Sequence, residues 1–255
     1  MQTELPQFLY HYTTVETLAL ILETKKLRFN SLLNVDDLEE VQTRNLTELG
    51  KYCFVSCFTD SLEESIPIWN MYSNRGGGVR LRLQTNSLFH SPSRVNQRSE
   101  QALATANAVV EIVEGAFRIS SDNETILLKE IMYTNNEDEL FPYVEFDSNA
   151  SFSDQIVKYV GINKRSCWDF QKEWRFIKII HPGNEEAIRE NQDVYTTYKD
   201  VDLNIEALNN LQITLGYNTS AGNRIIVNNL VNSYNRGSEN ANITVRDSVL
   251  TNRVR

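Results

Sequence analysis

The segment Phe170–Ile180, FQKEWRFIKII, decides how the late part of the chain folds, because it reads as an aromatic and aliphatic strand that contains one acidic residue. Alternation along an extended strand places Gln171, Glu173 and Arg175 on one face and the large aromatic residues on the other. The carboxylate of Glu173 and the amide of Gln171 then lie on the same side of the sheet. That face is either an exposed ladder of charges or one wall of a functional cleft, and the pattern alone favours neither.

Composition restricts the class of protein. The 255 residues are 41% hydrophobic and include eleven Phe and eleven Tyr, enough for a substantial core. A net charge of -9 argues against a dominant phosphate-binding surface. Three cysteines without a CxxC pair suit a reducing compartment, and three histidines without metal spacing predict no metal site. Without a signal sequence or a long apolar run, a cytoplasmic protein with no membrane segment is expected.

Hydrophobic periodicity predicts several regular elements. A strand at Phe8–Tyr12 leads into a helix that ends near Thr24, and an extended segment follows. Tyr52–Phe58 reads as a buried strand, and VRLRL after the glycine cluster alternates apolar residues with arginines. Leu211–Leu215 is a further strand, and Asn223–Tyr234 is helical.

Three further segments predict helices, and the first of them is polar with scattered leucines. These are Asn34–Gly50, Ser61–Ser73 and Glu100–Phe117. No repeat, low-complexity tract or linker divides the chain, so the sequence predicts one mixed α+β domain over residues 1–255.

Three features outside the Glu173 strand are candidate sites, and each has a plain structural alternative. His11 ends the first strand just before a helix, where ligand-binding groups collect, but a lone histidine favours a capping or half-buried role over a ligand contact. Trp69 and Tyr72 lie three apart on a helix and form either a shelf for a flat ligand or a core pair. The run Gly76–Gly78 lacks the lysine and spacing of a phosphate loop and predicts a tight turn.

Three stretches resemble the signatures of a bacterial family known as domain of unknown function 2971. They are LYHYTTVETLALILETKKLRFNS, CFVSCFTDSLEESIPIWNMYSNRGGGVRLRL and CWDFQKEWRFI, in that order. Lys164, Trp168 and Glu173 fall on the family's late pattern. The resemblance covers almost the whole chain except for a family-variable insertion near residues 87–125.

The order of a strand ending in His, a helix, an aromatic strand and a late strand bearing Glu is more distantly similar to ADP-ribosyltransferases. This similarity implies a central mixed or antiparallel, split sheet flanked by helices, with NAD as a substrate. In such enzymes a fixed carboxylate stabilises positive charge that develops on the ribose as the glycosidic bond breaks.

The resemblance also implies roles for individual residues. Glu173 would be catalytic, and His11 would orient the ribose of NAD. Gln171, two residues before Glu173, would face the acceptor together with Arg175. The remaining NAD contacts would come from Tyr12, Thr13, Ser56, Phe58, Trp69 and Tyr72.

The expected function is therefore transfer of ADP-ribose from NAD to a macromolecular acceptor, protein or nucleic acid, in a toxin or defence role. Two alternatives remain open. The first is an NAD glycohydrolase that uses water as the acceptor. The second is a non-catalytic ligand-binding or regulatory module in which Glu173 and Arg175 form a structural ion-pair network.

Overall fold

The chain folds into two compact units, each assembled from separate segments. The first unit comprises Met1–Thr3, Arg28–Cys57 and Val109–Val201, and the second comprises Glu4–Leu27, Phe58–Ala108 and Asp202–Arg255. The single domain expected over residues 1–255 stays a prediction. The computed structural model describes residues 4–46, 48–89, 110–113, 116–121, 124–147, 155–180, 190, 192–194 and 196–254, and only the backbone at 110–113, 116, 118–121, 124 and 125.

Both units combine strands with short helices. The strands are β1 (Phe8–Thr13), β2 (Lys26–Ser31), β3 (Cys53–Thr59), β4 (Val79–Gln84), β5 (Val110–Val113), β6 (Ala116–Ser121), β7 (Glu124–Glu130), β8 (Met132–Thr134), β9 (Asn163–Arg165), β10 (Glu173–Ile179), β11 (Tyr198–Asp202), β12 (Gln212–Leu215) and β13 (Thr244–Asp247). The helices are α1 (Val15–Thr24), α2 (Ile66–Tyr72), α3 (Glu137–Leu140), α4 (Ile205–Asn209) and α5 (Ala221–Gly237). Parallel and antiparallel pairs both occur, so the predicted mixed α+β class is confirmed. None of the helices in the described ranges has the length and apolar character needed to cross a membrane.

The first unit is built around β10. This strand pairs antiparallel with β7, and β6 and β5 continue the sheet beyond it. On its other side β10 adjoins β3, which also pairs with β2, while β8 and β9 form a separate parallel pair. The core beneath these strands includes Leu32, Leu49, Tyr52, Cys53, Val55, Leu127, Val144, Ile156, Val157, Val160, Ile162 and Ile177.

The second unit orders its strands β13, β12, β4 and β1. The β12–β13 pair is parallel and the others are antiparallel. Because side chains alternate, one face carries only buried aliphatic residues from β4 and β12, namely Val79, Leu81, Leu83, Ile213 and Leu215. The opposite face carries aromatic, arginine, amide and hydroxyl groups, namely Phe8, Tyr10, Tyr12, Arg80, Arg82, Gln84, Gln212, Thr214, Thr244 and Arg246.

Both longer helices of the second unit begin at a hydroxyl cap. The Thr14 hydroxyl accepts a hydrogen bond from the Thr17 amide at 3.2 Å, and the Ser220 hydroxyl accepts one from the Asn223 amide at 3.0 Å. Helix α1 ends at Lys25, whose φ of 57° leaves the helical region. The two helices pack against each other, and their ranges confirm the helices predicted for these segments.

The helix predicted over Asn34–Gly50 is wrong. The described part of this segment forms turns between two short 3₁₀ helices, Leu32–Asn34 and Leu49–Tyr52. Asp37 Oδ1 accepts a hydrogen bond from the Glu39 amide at 3.0 Å, and the Thr43 hydroxyl accepts one from the Leu46 amide at 3.1 Å. Such bonds between side chain and nearby backbone compete with helical hydrogen bonds and favour turns.

Two other predicted helices also differ from the structure. The helix expected at Ser61–Ser73 begins only at Ile66, because the Ser65 hydroxyl caps it and Pro67 follows in its first turn. Within the helix expected at Glu100–Phe117, residues 110–113 form β5 and β6 begins at 116; residues 100–109 lie outside the described ranges. β-branched residues such as Val110 and Ile112 favour strands over helices.

The predicted turn at Gly76–Gly78 is confirmed, and it contacts a fourth glycine. Gly76 has a φ of 76°, and the Gly216 amide donates to the Gly78 carbonyl at 2.9 Å. A Cβ at Gly216 would lie 2.1 Å from the Gly76 carbonyl oxygen, which is backbone and has little room to move. The end of β12 therefore approaches the turn before β4 more closely than any side chain would allow.

Gly216→Ala should therefore destabilise the protein by about 3 kcal/mol, the upper end of the usual cost of overpacking. Gly222→Ala is the matched control, because the nearest atom to its Cβ would be 3.8 Å away and alanine favours the helix in which it lies. Urea unfolding measures both. Equal stability of the two variants would contradict the close approach.

Candidate functional site

Two carboxylates and two positively charged side chains lie together inside the first unit. This charge cluster consists of Glu40, Lys164, Glu173 and Arg175, whose side chains are no more than 5% exposed. Glu173 and Arg175 are two residues apart on β10 and therefore share a face. Lys164 lies on β9, and Glu40 comes from the turns before β3. Two carboxylates face two cations, so the cluster is neutral overall.

The Lys164 ammonium is surrounded by three acceptors. Its Nζ donates to Gln171 Oε1 at 2.8 Å and to Glu173 Oε2 at 3.1 Å, and it lies 3.2 Å from Glu40 Oε1. Nζ also lies 4.9 Å from the centre of the Trp168 ring, within range of a cation–π contact. The ammonium therefore makes two hydrogen bonds, to Gln171 and Glu173, and an ion pair with Glu40.

The Arg175 guanidinium is equally saturated. Its Nε donates to Glu173 Oε1 at 2.6 Å and its Nη2 to Glu173 Oε2 at 3.2 Å, while Nη2 also donates to Glu40 Oε1 at 3.0 Å. Nη1 donates to Glu40 Oε2 and to the Gly161 carbonyl, the latter at 3.3 Å. These bonds use all five N–H donors of the side chain. The cluster keeps no guanidinium donor for a ligand.

The protonation states in the cluster follow from this pairing. Burial raises the pKa of Glu173, but the charges of Arg175 and Lys164 outweigh it and hold that pKa at about 2. Burial, reinforced by the Glu173 carboxylate, raises the pKa of the neighbouring Cys57 thiol well above its usual value. Glu173 is therefore ionised at neutral pH, and Cys57 is a neutral thiol that hydrogen-bonds to Glu173 rather than a nucleophile.

The residues expected around Glu173 are also internal. Gln171 is 4% exposed and ends the 3₁₀ helix Ser166–Gln171, so the strand begins at Glu173 instead of at Phe170. The intervening Lys172 has a φ of 42°, which turns the chain between them. The structure thus brings Gln171, Glu173 and Arg175 together, because Lys164 contacts Gln171 and Glu173 and Arg175 contacts Glu173. Ser56 is also buried, but it lies on a different strand, β3.

The remaining predicted site residues belong to the second unit. His11 lies half-buried on β1, with its ring centre 5.0 Å from that of Phe58 and a tilt of 38°. Thr13, two residues further along the same strand, is buried. His11 and Glu173 belong to different units. The ring contact places His11 next to Phe58, as a ligand contact shared by the two residues would require.

Trp69 is a core residue rather than an open shelf. It is completely buried, and its indole N–H donates to Glu64 Oε2 at 3.0 Å. The Tyr12 ring meets it edge-on at 4.8 Å, and burial raises the pKa of the Tyr12 hydroxyl although Arg80 lowers it. Tyr72, at the end of α2, is half-buried. The hydrogen bond from the indole links Trp69 to the loop that precedes α2.

A cavity of about 290 Å³ lies in the second unit, on the polar face of its sheet. Strand β4 contributes Arg82, and helix α4 contributes Glu206. The other lining residues are Phe8, Gln84, Ala207, Asn210, Gln212, Asn242 and Thr244. Opposite charges and several amides thus line one small cavity.

Arg80 and Arg82 lie on the same face of β4 but have different partners. Arg80 is buried, packs over Tyr10 at 3.8 Å and donates to the carbonyls of Ser61 and Leu62. Arg82 lies 3.4 Å above the centre of the Phe8 ring. Among the residues that the structure describes, no hydrogen bond or ion pair engages the side chains of Arg82 or Glu206.

Sequence reasoning missed Glu40, Arg82 and Glu206. Glu40 gave no signal, because it lies in the segment predicted to be a helix. Arg82 did give one: arginines alternate with aliphatic residues in VRLRL, so its side chain had to leave the apolar face. In the described part of the chain, no group of three or more His, Cys, Asp or Glu side chains could hold a metal ion.

Glu173→Gln should reduce the free energy of unfolding by about 3–5 kcal/mol, because it leaves Arg175 and Lys164 buried without full compensation. Glu39→Gln is the matched control. Glu39 also pairs with an arginine, Arg165, but it is 38% exposed, so its loss should cost less than about 1 kcal/mol. Urea unfolding at neutral pH measures both losses, and similar values would contradict the buried network.

The cost of Glu173→Gln should also depend on pH. Glu173 has a pKa of about 2 in the folded protein, below the ordinary value of 4.5, so its contribution is present above about pH 4.5 and is lost as the pH falls towards 2. The difference in unfolding free energy between wild type and Glu173→Gln should therefore shrink over this interval. A difference that stays constant from pH 5 to pH 2 would contradict the lowered pKa.

Comparison of the chain with protein-family models, with curated proteins and with solved structures gave no match. The resemblances to domain of unknown function 2971 and to ADP-ribosyltransferases therefore stay predictions.

Proposed function

We propose that this protein is a ligand-binding module in which the charge cluster is structural and the cavity of the second unit holds the ligand. The observation that carries the proposal is that the Glu173 carboxylate already has hydrogen-bond partners inside the protein. Its Oε1 accepts a hydrogen bond from Arg175, its Oε2 accepts hydrogen bonds from Lys164 and Arg175, and its side chain is 5% exposed. A carboxylate that stabilises a developing charge on a substrate has to reach that substrate, and Glu173 instead neutralises two buried cations.

Unlike the cluster, the cavity contains charged side chains that are available to a ligand. Arg82 and Glu206 line it with charged groups that the described residues leave without an ion pair or a hydrogen bond. A concave site with a few polar groups that converge is the usual form of a small-molecule binding site. The cluster stabilises one unit, and the other unit binds.

ADP-ribosyl transfer from NAD to a protein or nucleic acid is the second candidate. One observation favours it: the pKa of about 2 keeps Glu173 ionised, as a carboxylate that stabilises an oxocarbenium-like centre must be. For this chemistry Glu173 would have to exchange a contact with Lys164 or Arg175 for one with the ribose. Hydrolysis of NAD by the same residue would differ only in the acceptor.

Incubation with NAD labelled in the adenylate part, with a bacterial lysate as acceptor, tests the two candidates. We expect neither nicotinamide release nor a labelled acceptor above the level without protein. Release that Glu173→Gln abolishes and Glu39→Gln retains would overturn the proposal. Labelled acceptor would then indicate transfer, and loss of NAD without labelled acceptor would indicate hydrolysis.

The binding half of the proposal has its own measurement, thermal unfolding with a panel of small carboxylic acids, amines, amides, sugars and amino acids. At least one compound should raise the melting temperature of the wild type and of Arg246→Gln but not of Arg82→Gln. Arg246 is the matched control because it lies on the same sheet face, is exposed and is absent from the cavity lining. If no compound stabilises the wild type, the binding proposal fails.

A further inference from the structure

We infer that the cavity selects a small zwitterion, a molecule that carries a carboxylate and an ammonium as an α-amino acid does. The inference rests on the proposed binding function and adds the chemical class of the ligand. Arg82 would receive the carboxylate, and Glu206 would receive the ammonium. Both side chains line the same cavity.

Arg82 is prepared for a planar anion. Its guanidinium lies 3.4 Å above the centre of the Phe8 ring, so one flat side is covered by an aromatic surface. Stacking of this kind leaves the edge of the guanidinium, which carries the N–H donors, available for hydrogen bonds. A carboxylate matches two of these donors at once. Arg80, on the same strand and face, is buried, and its Nη2 donates to the carbonyls of Ser61 and Leu62, so its guanidinium is not exposed to a ligand in this way.

Glu206 supplies the opposite charge. It lies in the first turn of α4, where Asn204 Oδ1 accepts a hydrogen bond from the Glu206 amide at 3.1 Å and thereby fixes the start of the helix. Its side chain is exposed and lines the same cavity as Arg82. A carboxylate at this position attracts an ammonium and repels a phosphate.

The pair of charges discriminates better than either charge alone. A simple amine would gain from Glu206 but would meet the like charge of Arg82, and a simple anion would gain from Arg82 but would meet Glu206. A molecule with both charges gains from each and brings no net charge into the cavity. Electrostatic complementarity of this kind chiefly sets specificity.

Size and the remaining lining agree with a small polar ligand. A volume of about 290 Å³ lies just below the usual range for ligand cavities, roughly 300–1,000 Å³, and so suits only a small ligand. Four amide side chains also line the cavity, and an amide offers both donors and an acceptor to the polar parts of a ligand. They are Gln84, Asn210, Gln212 and Asn242.

The test is isothermal titration of the full chain with the common L-amino acids, with their N-acetyl derivatives, which lack the ammonium, and with their α-amides, which lack the carboxylate. At least one amino acid should bind, and each of its two derivatives should bind about tenfold more weakly or worse, as expected for loss of a hydrogen-bonded charge. Arg82→Gln should remove the preference over the amide. Glu206→Gln should remove the preference over the N-acetyl derivative.

Arg246→Gln and Glu239→Gln are the matched controls, because both residues are exposed and neither lines the cavity. They should bind like the wild type. Derivatives that bind as tightly as the parent amino acid would overturn the inference of a zwitterion but leave the binding function standing. Binding by none of the amino acids, derivatives or panel compounds would overturn both.

Discussion

The burial of two carboxylates with two cations is the constraint on which the first unit depends. Removing an ion from water costs several kcal/mol even in real proteins, and attraction between partners recovers that cost only when the geometry is good and the remaining donors are satisfied. Arg175 meets this condition because its five N–H donors all have acceptors, and Lys164 has two hydrogen bonds and an ion pair with Glu40. A partly satisfied cluster would be worse than an apolar core, so its members are fixed together.

The same saturation distinguishes the charged groups of the cluster from those of the cavity. Glu173 has the charge that a catalytic carboxylate needs, but its oxygens already serve Lys164 and Arg175. Arg82 presents the reverse case, since its only partner among the described side chains is an aromatic ring. Charged groups of both kinds lie on strands with alternating patterns. What distinguishes them is the number of acceptors within reach.

Local periodicity explains what the sequence could predict. Alternation on β10 placed Glu173 and Arg175 on one face, and the caps and spacing of α1 and α5 located both helices. Glu40 was beyond such reasoning, because it pairs with Arg175 across 135 residues of chain and lies in turns set by side-chain hydrogen bonds. The different fates of Arg80 and Arg82 were equally hidden. Two backbone carbonyls from the loop after β3 accept hydrogen bonds from Arg80, and their position is set by tertiary packing.

The order of segments along the chain has a consequence for synthesis on the ribosome. The second unit begins with β1 near the N-terminus, yet β12 and β13 lie beyond the whole Val109–Val201 segment. Strands β1 and β4 can pair early, but the edge of β4 that later receives β12 stays unpaired until that segment has been made. Exposed strand edges favour aggregation. The nascent chain therefore exposes this edge until Gln212–Leu215 has been synthesised, and the cavity, which β12 helps to line, cannot form before then.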